Sequence, residues 1–187
     1  YKLAKRFPSV IINADALQVY SKWKILSGRP TSREIKYLKH KLFGYYEGDY
    51  YNVGKWLTDI KIEIAKAQDL GLIPIIVGGT GLYLTLLLKG ISKIPPISYN
   101  IRKKGNEILN QDPNFFLTYL KENDPDILNN LDQKNPRRLQ RAWEVFETTG
   151  FSLSKFQLER DSPLINSSSA IKFILSIDKN LLNVMID

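Results

Sequence analysis

The chain contains no cysteine and a single histidine, His40, among its 187 residues. The lack of cysteine excludes disulfides, thiolate metal sites and cysteine nucleophiles. A single histidine also argues against Ser-His-Asp catalysis, so carboxylates are the candidate general bases. No apolar run approaches the ~20 residues that a membrane-spanning helix needs, and we expect no membrane association.

The chain has fewer acidic residues than basic ones. The chain has 27 lysines and arginines against 19 aspartates and glutamates, which gives a formal net charge of +8 and a pI of about 9.5. This excess favours a polyanionic partner such as a nucleic acid, although a generally basic proteome is an alternative explanation. The length predicts about one domain, with the composition of an ordinary soluble protein.

Two segments, residues 11–20 and 73–83, each predict a buried strand that ends abruptly at a polar or glycine-rich tip. In parallel α/β sheets the ligand lies beyond the carboxyl ends of the strands, so the two tips should converge on one crevice. Asp15 at the first tip could accept a proton or hold a metal through water. Its alternative role is a cap or turn carboxylate.

The second tip is Gly78-Gly79-Thr80. Glycines allow backbone amides to approach an anionic ligand, and the Thr80 hydroxyl adds a donor. The alternative is a tight turn in which Thr80 caps the following helix. Each tip alone is a weak indication of a ligand-binding site, and the two tips together are a stronger one.

The remaining pattern alternates helix and strand, which implies parallel strands joined by crossover helices. Asn52 and Gly71 should begin and end an amphipathic helix between the two tips. We predict an α/β core over residues 1–94, an all-α insertion over 95–149 and a return to the core over 150–187. Within these, the expected helices are 1–7, 53–70, 82–89, several over 101–141, and 181–187, and the expected strands are 9–15, 73–77 and 170–177.

The chain contains no G-x-x-x-x-G-K-[ST] motif, the phosphate loop of P-loop proteins. Residues 1–7 nevertheless resemble the end of the helix that follows such a loop and leads into a strand and a catalytic carboxylate. We therefore expect the phosphate loop upstream of Tyr1.

Basic residues cluster at Asn135–Val145, in the sequence NPRRLQRAWEV. On a helix Arg137 and Arg141 share one face, Arg138 lies on its flank, and Leu139 turns inward. Arginine forks suit phosphates and base edges. The alternative is a solvated face paired with nearby glutamates, and Trp143 is expected in the core.

Three segments together resemble, in order and spacing, the tRNA dimethylallyltransferases, which are also called tRNA isopentenyltransferases. They are NADALQVY at 13–20, VGGTGLY at 77–83 and NPRRLQRAWEV at 135–145. The resemblance covers essentially the whole chain and implies a P-loop NTPase-like parallel sheet flanked by helices, with an all-α insertion. It also implies a fragment that lacks the N-terminal phosphate loop and the C-terminal third.

The family transfers a dimethylallyl group from its diphosphate to N6 of adenosine 37, beside the anticodon of tRNAs that read codons beginning with U. The resemblance implies Mg²⁺ as cofactor, with no protein metal ligand assigned. It implies the tRNA anticodon stem-loop and dimethylallyl diphosphate as partners, and a cytoplasmic monomer. The full-length protein should be an enzyme, and the 187-residue piece alone should be inactive.

The resemblance also assigns residues. Asp15 removes the proton from the adenine amine, and Thr80 lies where the amine meets the diphosphate donor. The residues implied to contact tRNA are Asp15, Ala16, Leu17, Gln18, Arg102, Arg137, Arg138, Leu139, Gln140 and Arg141. Two departures stand out: Arg137 replaces the usual glutamine, and Gly44 replaces the usual aspartate.

Two alternatives stay open. A P-loop kinase or a free-adenylate isopentenyltransferase would share the sheet and Asp15, but a small acceptor needs no arginine-rich insertion. A non-catalytic RNA-binding remnant would keep the insertion without the chemistry.

Overall fold

A computed structural model describes residues 2–186 of the chain. Its elements follow in the order β1 (Ser9–Asn13), α1 (Ser32–Tyr37), β2 (His40–Lys41), α2 (Val53–Asp69), β3 (Ile73–Val77), α3 (Gly81–Lys89), α4 (Tyr99–Gln111), α5 (Phe115–Asn123), a 3₁₀ turn (Pro125–Asn129), α6 (Pro136–Thr149), α7 (Leu153–Leu158), a second 3₁₀ turn (Ser167–Ser169) and α8 (Lys179–Ile186). Tyr1 and Asp187, the outer ends of the two predicted terminal helices, lie outside the described residues.

The three strands of the described residues form one parallel sheet in the order β2-β1-β3. Strand β1 pairs along its whole length with β3, from Ser9 opposite Ile73 to Asn13 opposite Val77. Its other edge pairs with the two residues of β2. The parallel arrangement predicted from the sequence is confirmed, and the carboxyl ends of β1 and β3 meet at one edge of the sheet.

Helix α2 covers the sheet with an apolar stripe at helical spacing: Trp56, Ile60, Ile64 and Ala67 are all buried. The helix begins where predicted, because the Asn52 side chain accepts a hydrogen bond from the Lys55 N–H at 3.0 Å. It ends before Gly71, whose φ of +64° is the left-handed conformation that glycine adopts readily. Helix α2, the sheet and α3 enclose the first hydrophobic cluster.

A second hydrophobic cluster lies among the helices from α4 to α7, with Phe116, Leu120 and Trp143 at its centre. The prediction that Trp143 is a core residue is confirmed, since 1% of its surface is exposed. Helix α7 packs on this cluster through Leu153 and Phe156, beyond the boundary predicted at residue 149. The division of the chain into domains stays a prediction.

Two predicted elements are wrong. Residues 170–177 form no strand in the described structure, and their apolar side chains are exposed, Leu175 completely. A β-branched apolar run becomes a strand only where a neighbouring strand supplies hydrogen bonds, and this run has no ladder partner among the described residues. Residues 2–6 form turns rather than a helix.

The chain does return to the first cluster, but earlier than the predicted strand. Leu164 and Ile165 pack against that cluster, and the Ile165 N–H donates to the Leu87 carbonyl at 3.2 Å. In the part of the chain that the structure describes, no helix is both long and apolar enough to cross a membrane.

Candidate functional site

Asp15 follows β1 directly, and its two carboxylate oxygens have different surroundings. Oδ1 accepts hydrogen bonds from the N–H groups of Leu17 at 2.9 Å and Gln18 at 3.3 Å, so it stabilises the turn after the strand. Oδ2 lies 3.4 Å from the position that a Cβ atom on Gly79 would occupy. No described residue donates a hydrogen bond to Oδ2. The carboxylate therefore caps its own turn and still presents a free oxygen toward the second tip.

Asn13, a functional-site residue that was not predicted from the sequence, holds the backbone of Asp15 from both sides. Its completely buried side chain accepts from the Asp15 N–H and donates to the Asp15 carbonyl, both at 2.9 Å. It also donates to the carbonyl of Leu42 at 3.0 Å. The Trp56 indole donates to the Asn13 carbonyl at 2.9 Å. A polar residue at the buried end of a β-branched run, two places before Asp15, was the available signal.

The two strand tips meet at one edge of the sheet, as the sequence predicted, and hydrogen bonds join them directly. Gly78 lies against Ala14 so closely that a Cβ atom there would come within 2.1 Å of the Ala14 backbone. The Thr80 N–H donates to the Ala14 carbonyl at 3.3 Å. In return, the Ala16 N–H donates to the Thr80 hydroxyl oxygen at 2.9 Å.

Thr80 stands at the N-cap position of α3, but its side chain makes no capping hydrogen bond. The alternative inferred from the sequence, that Thr80 is the N-cap of this helix, is therefore confirmed for its position, and the backbone carbonyl rather than the hydroxyl accepts the first helical hydrogen bonds. The Thr80 hydroxyl oxygen instead accepts from Ala16, which leaves the hydroxyl hydrogen available to a ligand.

Tyr83 and Trp56 lie beneath the two tips as a stacked pair, with ring centroids 4.4 Å apart. Burial raises the pKa of Tyr83, and the nearby Tyr20 and Asp15 raise it further. The Tyr83 hydroxyl therefore stays neutral at physiological pH and adds no negative charge beside Asp15.

Gly44, one of the two departures from the resemblance, has a local explanation. The guanidinium of Arg29 fills the space where a Cβ atom on Gly44 would lie, only 1.1 Å from Nη1. The Gly44 N–H donates to the Gln18 carbonyl at 2.8 Å, so this close packing supports the turn that Asp15 caps.

The arginine-rich segment forms the start of α6, which Asn135 caps by accepting from the Arg138 N–H at 3.2 Å. Arg137 and Arg138 are exposed, and Arg141 is half-buried and pairs with Glu144 at 3.2 Å. Arg102 on α4 donates from Nη1 to the Tyr50 hydroxyl at 3.5 Å.

Two of the residues predicted to contact tRNA have almost no accessible surface. Leu139 is 2% exposed and belongs to the second hydrophobic cluster, and Gln140 is 4% exposed. Helical periodicity turns these two positions inward while the arginines remain outside. The structure therefore gives the Leu139 side chain a packing role, and the Gln140 side chain forms hydrogen bonds with neighbouring polar side chains.

Within residues 2–186, no cluster of side chains forms a protein site for the predicted magnesium ion. Among the described residues, no group of three histidine, aspartate or glutamate side chains is placed to hold a metal. Mg²⁺ bound to a substrate phosphate needs only one or two carboxylates. One oxygen of Asp15 already accepts two backbone hydrogen bonds, so the donor set gives no independent support for the ion.

Comparison with known proteins gives a direct result. The family model described as IPP transferase matches residues 18–187. The chain belongs to the IPP transferase family. This membership confirms the resemblance inferred from the three sequence motifs.

Similar proteins in this family share the name tRNA dimethylallyltransferase. A tRNA dimethylallyltransferase of Dinoroseobacter shibae is 37% identical over 97% of this chain and 60% of its own length. One from Azorhizobium caulinodans is 36% identical over 99% of this chain and 60% of its own. The chain thus spans about 60% of the length of these relatives.

A solved structure of a eukaryotic dimethylallyltransferase acting on tRNA resembles the chain with a TM-score of 0.71 and 28% identity. The likeness covers 88% of this chain and 42% of that one. Together with the parallel sheet flanked by helices, it confirms the predicted P-loop NTPase-like fold class. The roles of the individual site residues and the need for Mg²⁺ stay predictions.

Proposed function

We propose that the whole protein transfers a dimethylallyl group from dimethylallyl diphosphate to N6 of adenosine 37 in tRNAs that read codons beginning with U. The relatives named tRNA dimethylallyltransferase support tRNA prenylation. The observation that carries the proposal is the junction of the two strand tips. The Ala16 to Thr80 hydrogen bond holds the free oxygen of Asp15 beside Gly79.

The chemistry matches these groups. The exocyclic amine of adenine is a poor nucleophile because its lone pair is delocalised into the ring. As the bond between N6 and the allylic carbon forms, Oδ2 of Asp15 accepts the amine proton, and the carbon–oxygen bond to diphosphate breaks. The Thr80 hydroxyl can donate a hydrogen bond where the adenine amine meets the diphosphate donor. Diphosphate then leaves with the electron pair of the broken bond.

A leaving diphosphate needs cations or backbone amides around its oxygens. Mg²⁺, when bound to the diphosphate, would neutralise part of its charge, and no described residue cluster is needed to hold it.

The arginine face of α6 supports the tRNA-binding part of the proposed function. Arg137, Arg138 and Arg141 lie within about one helical turn and suit contact with phosphates of an anticodon stem-loop. The target base must leave its stack to reach a carboxylate at a strand tip. A helix that binds RNA and a half-buried proton acceptor in one protein fit this requirement.

The test is an acceptor assay with labelled dimethylallyl diphosphate and the whole protein. We expect label on unmodified tRNA and on an anticodon stem-loop with adenosine at position 37, and none on the same stem-loop carrying guanosine there. Label on free AMP instead would favour the free-adenylate alternative. RNA binding without transfer to any acceptor would favour the non-catalytic remnant.

Replacing Thr80 with valine should reduce turnover about tenfold, because it removes the hydroxyl that the Ala16 N–H needs. Thr80→Ser keeps the oxygen and should stay near the original rate. The affinity for tRNA should change less than the turnover, since the hydroxyl acts close to the reacting atoms. Steady-state kinetics with tRNA as the varied substrate separates the two effects. A collapsed thermal transition in the valine variant would reassign Thr80 to folding.

Replacing Arg137 or Arg141 with alanine should raise the Michaelis constant for tRNA and reduce the salt dependence of binding by about one unit per lost phosphate contact. Arg138 could instead contact a base, in which case its variant relaxes sequence preference and leaves the salt slope unchanged. The affinity for dimethylallyl diphosphate should stay the same in all three. Binding measured at several salt concentrations checks this. Unchanged affinity and slope in every variant would make α6 a solvated face.

A further inference from the structure

Beneath the arginines, a polar row connects α4 to α6. The Asn106 side-chain oxygen accepts from Arg137 Nη1 at 2.9 Å and from Gln140 Nε2 at 3.0 Å. Arg137 Nη1 also donates to the Gln140 side-chain oxygen at 3.2 Å. Gln140 continues the row to Glu144 at 3.2 Å, and Glu144 pairs with Arg141. Three polar side chains thus bind both arginines from the protein side.

The inner part of this row is shielded from water. Gln140 is 4% exposed and Glu144 is 5% exposed. Hydrogen bonds between charged or amide groups are stronger where water is excluded, and a satisfied network holds a single geometry. The Glu144 carboxylate is compensated by Arg141 and by the Gln140 amide, so its burial leaves no unpaired charge.

Close packing of the two helices brings Asn106 within reach of α6. A Cβ atom on Gly105 would lie 2.9 Å from the Gln140 amide nitrogen and 3.0 Å from the Trp143 ring. The glycine lets α4 approach α6 at this point, and Asn106 follows it directly.

Each guanidinium keeps donors for a ligand. Arginine has five N–H donors, and the described hydrogen bonds engage only Nη1 of Arg137 and Nη1 of Arg141. An unrestrained arginine loses much side-chain freedom when it binds a phosphate. An arginine already held in place loses less and binds more tightly.

We propose that Asn106 and Glu144 are positioning residues that hold Arg137 and Arg141 in the conformation that binds RNA phosphates, with Gln140 linking the two. The inference rests on the proposed function, because it takes the arginine face to be the tRNA contact. It gives Gln140, placed by the resemblance among the tRNA-contacting residues, an indirect role.

The test is a double-mutant cycle with the whole protein and unmodified tRNA. Asn106→Ala should weaken tRNA binding about fivefold, and the double variant Asn106→Ala/Arg137→Ala should bind no worse than Arg137→Ala alone. Asn106 is exposed, so its truncation should leave the thermal midpoint nearly unchanged. The Michaelis constant for tRNA should rise while the turnover number stays constant, because Asp15 lies between Ala14 and Ala16, which belong to the other hydrophobic cluster.

A second cycle tests the buried end of the row. Glu144→Gln keeps the hydrogen-bonding shape and removes the charge that fixes Arg141. It should weaken tRNA binding, and it should have no further effect in the Arg141→Ala background.

Asn110→Ala is the matched control, since Asn110 is exposed on the same helix and makes no side-chain hydrogen bond within the described part of the chain. It should bind tRNA normally. Unchanged or tighter binding by both Asn106→Ala and Glu144→Gln would overturn the proposal, as would losses that simply add to those of the arginine variants. If Arg137→Ala and Arg141→Ala themselves bind tRNA normally, the proposed RNA face fails instead.

Discussion

Replacing Asp15 with alanine is expected to lower the rate of dimethylallyl transfer by the whole protein about 10²–10⁴-fold, the usual contribution of general acid–base catalysis. The reason is the free oxygen Oδ2, which lies beside Gly79 and is the proton acceptor in the proposed reaction. A single-turnover measurement at saturating tRNA and dimethylallyl diphosphate isolates the chemical step from binding.

The variant Asp15→Asn separates the proposed role of Asp15 as a base from its role in stabilising the turn. Asparagine keeps a side-chain oxygen for the N–H groups of Leu17 and Gln18, so this variant should fold normally and transfer as slowly as the alanine variant. Asp49→Ala is the matched control, because Asp49 is an exposed carboxylate paired with Lys22 at 3.5 Å. A near-normal rate in Asp15→Asn with intact tRNA binding would remove the base assignment.

Local sequence patterns were sufficient to predict the part of the fold that holds this site. Strand β1 is a β-branched run that ends at a polar tip, and α2 has a buried stripe between Asn52 and Gly71. These patterns depend on residues close together in sequence. The rule that parallel strands present their carboxyl ends at one edge then placed Asp15 beside Gly79.

Long-range contacts account for what the sequence did not predict. Strand β2 has only two residues and exists because Ile11 and Ile12 of β1 pair with it. One of the three hydrogen bonds of the Asn13 side chain depends on that arrangement, since it reaches Leu42 immediately after β2. Residues 170–177 have a strand-like pattern, but a pattern cannot supply the neighbouring strand that a ladder requires.

The arginine segment shows a different limit. Helical spacing correctly placed Arg137 and Arg141 on one face, and it also indicated that Leu139 turns inward. The motif-level resemblance nevertheless included Leu139 and Gln140 among the contacts, because a motif does not distinguish a residue that touches RNA from one that supports its neighbours. The low exposures of Leu139 (2%) and Gln140 (4%) favour a supporting role for both side chains.

Gly78 and Gly79, the two glycines of the second tip, differ in how much space a Cβ atom would have at each position. A Cβ atom on Gly78 would lie 2.1 Å from both the carbonyl carbon and oxygen of Ala14, which are backbone atoms that cannot turn aside. A Cβ atom on Gly79 would lie 3.4 Å from Asp15 Oδ2, an ordinary contact distance. Neither glycine has a positive φ, so backbone strain does not distinguish them.

Gly78→Ala should therefore destabilise the protein by about 3 kcal/mol, the upper part of the usual range for overpacking, and lower the thermal midpoint by about 10 °C. Gly79→Ala should fold normally, yet transfer about tenfold more slowly, because its methyl group narrows the space in front of the proposed base. Thermal unfolding and single-turnover transfer should be measured on both variants. If the two tips are packed as described, Gly78→Ala lowers the thermal midpoint, whereas Gly79→Ala keeps the midpoint and lowers the transfer rate. Equal midpoints for the two variants would show that β1 and β3 can separate at Gly78 without cost. A normal transfer rate in Gly79→Ala would show that the substrate approaches Asp15 from another side.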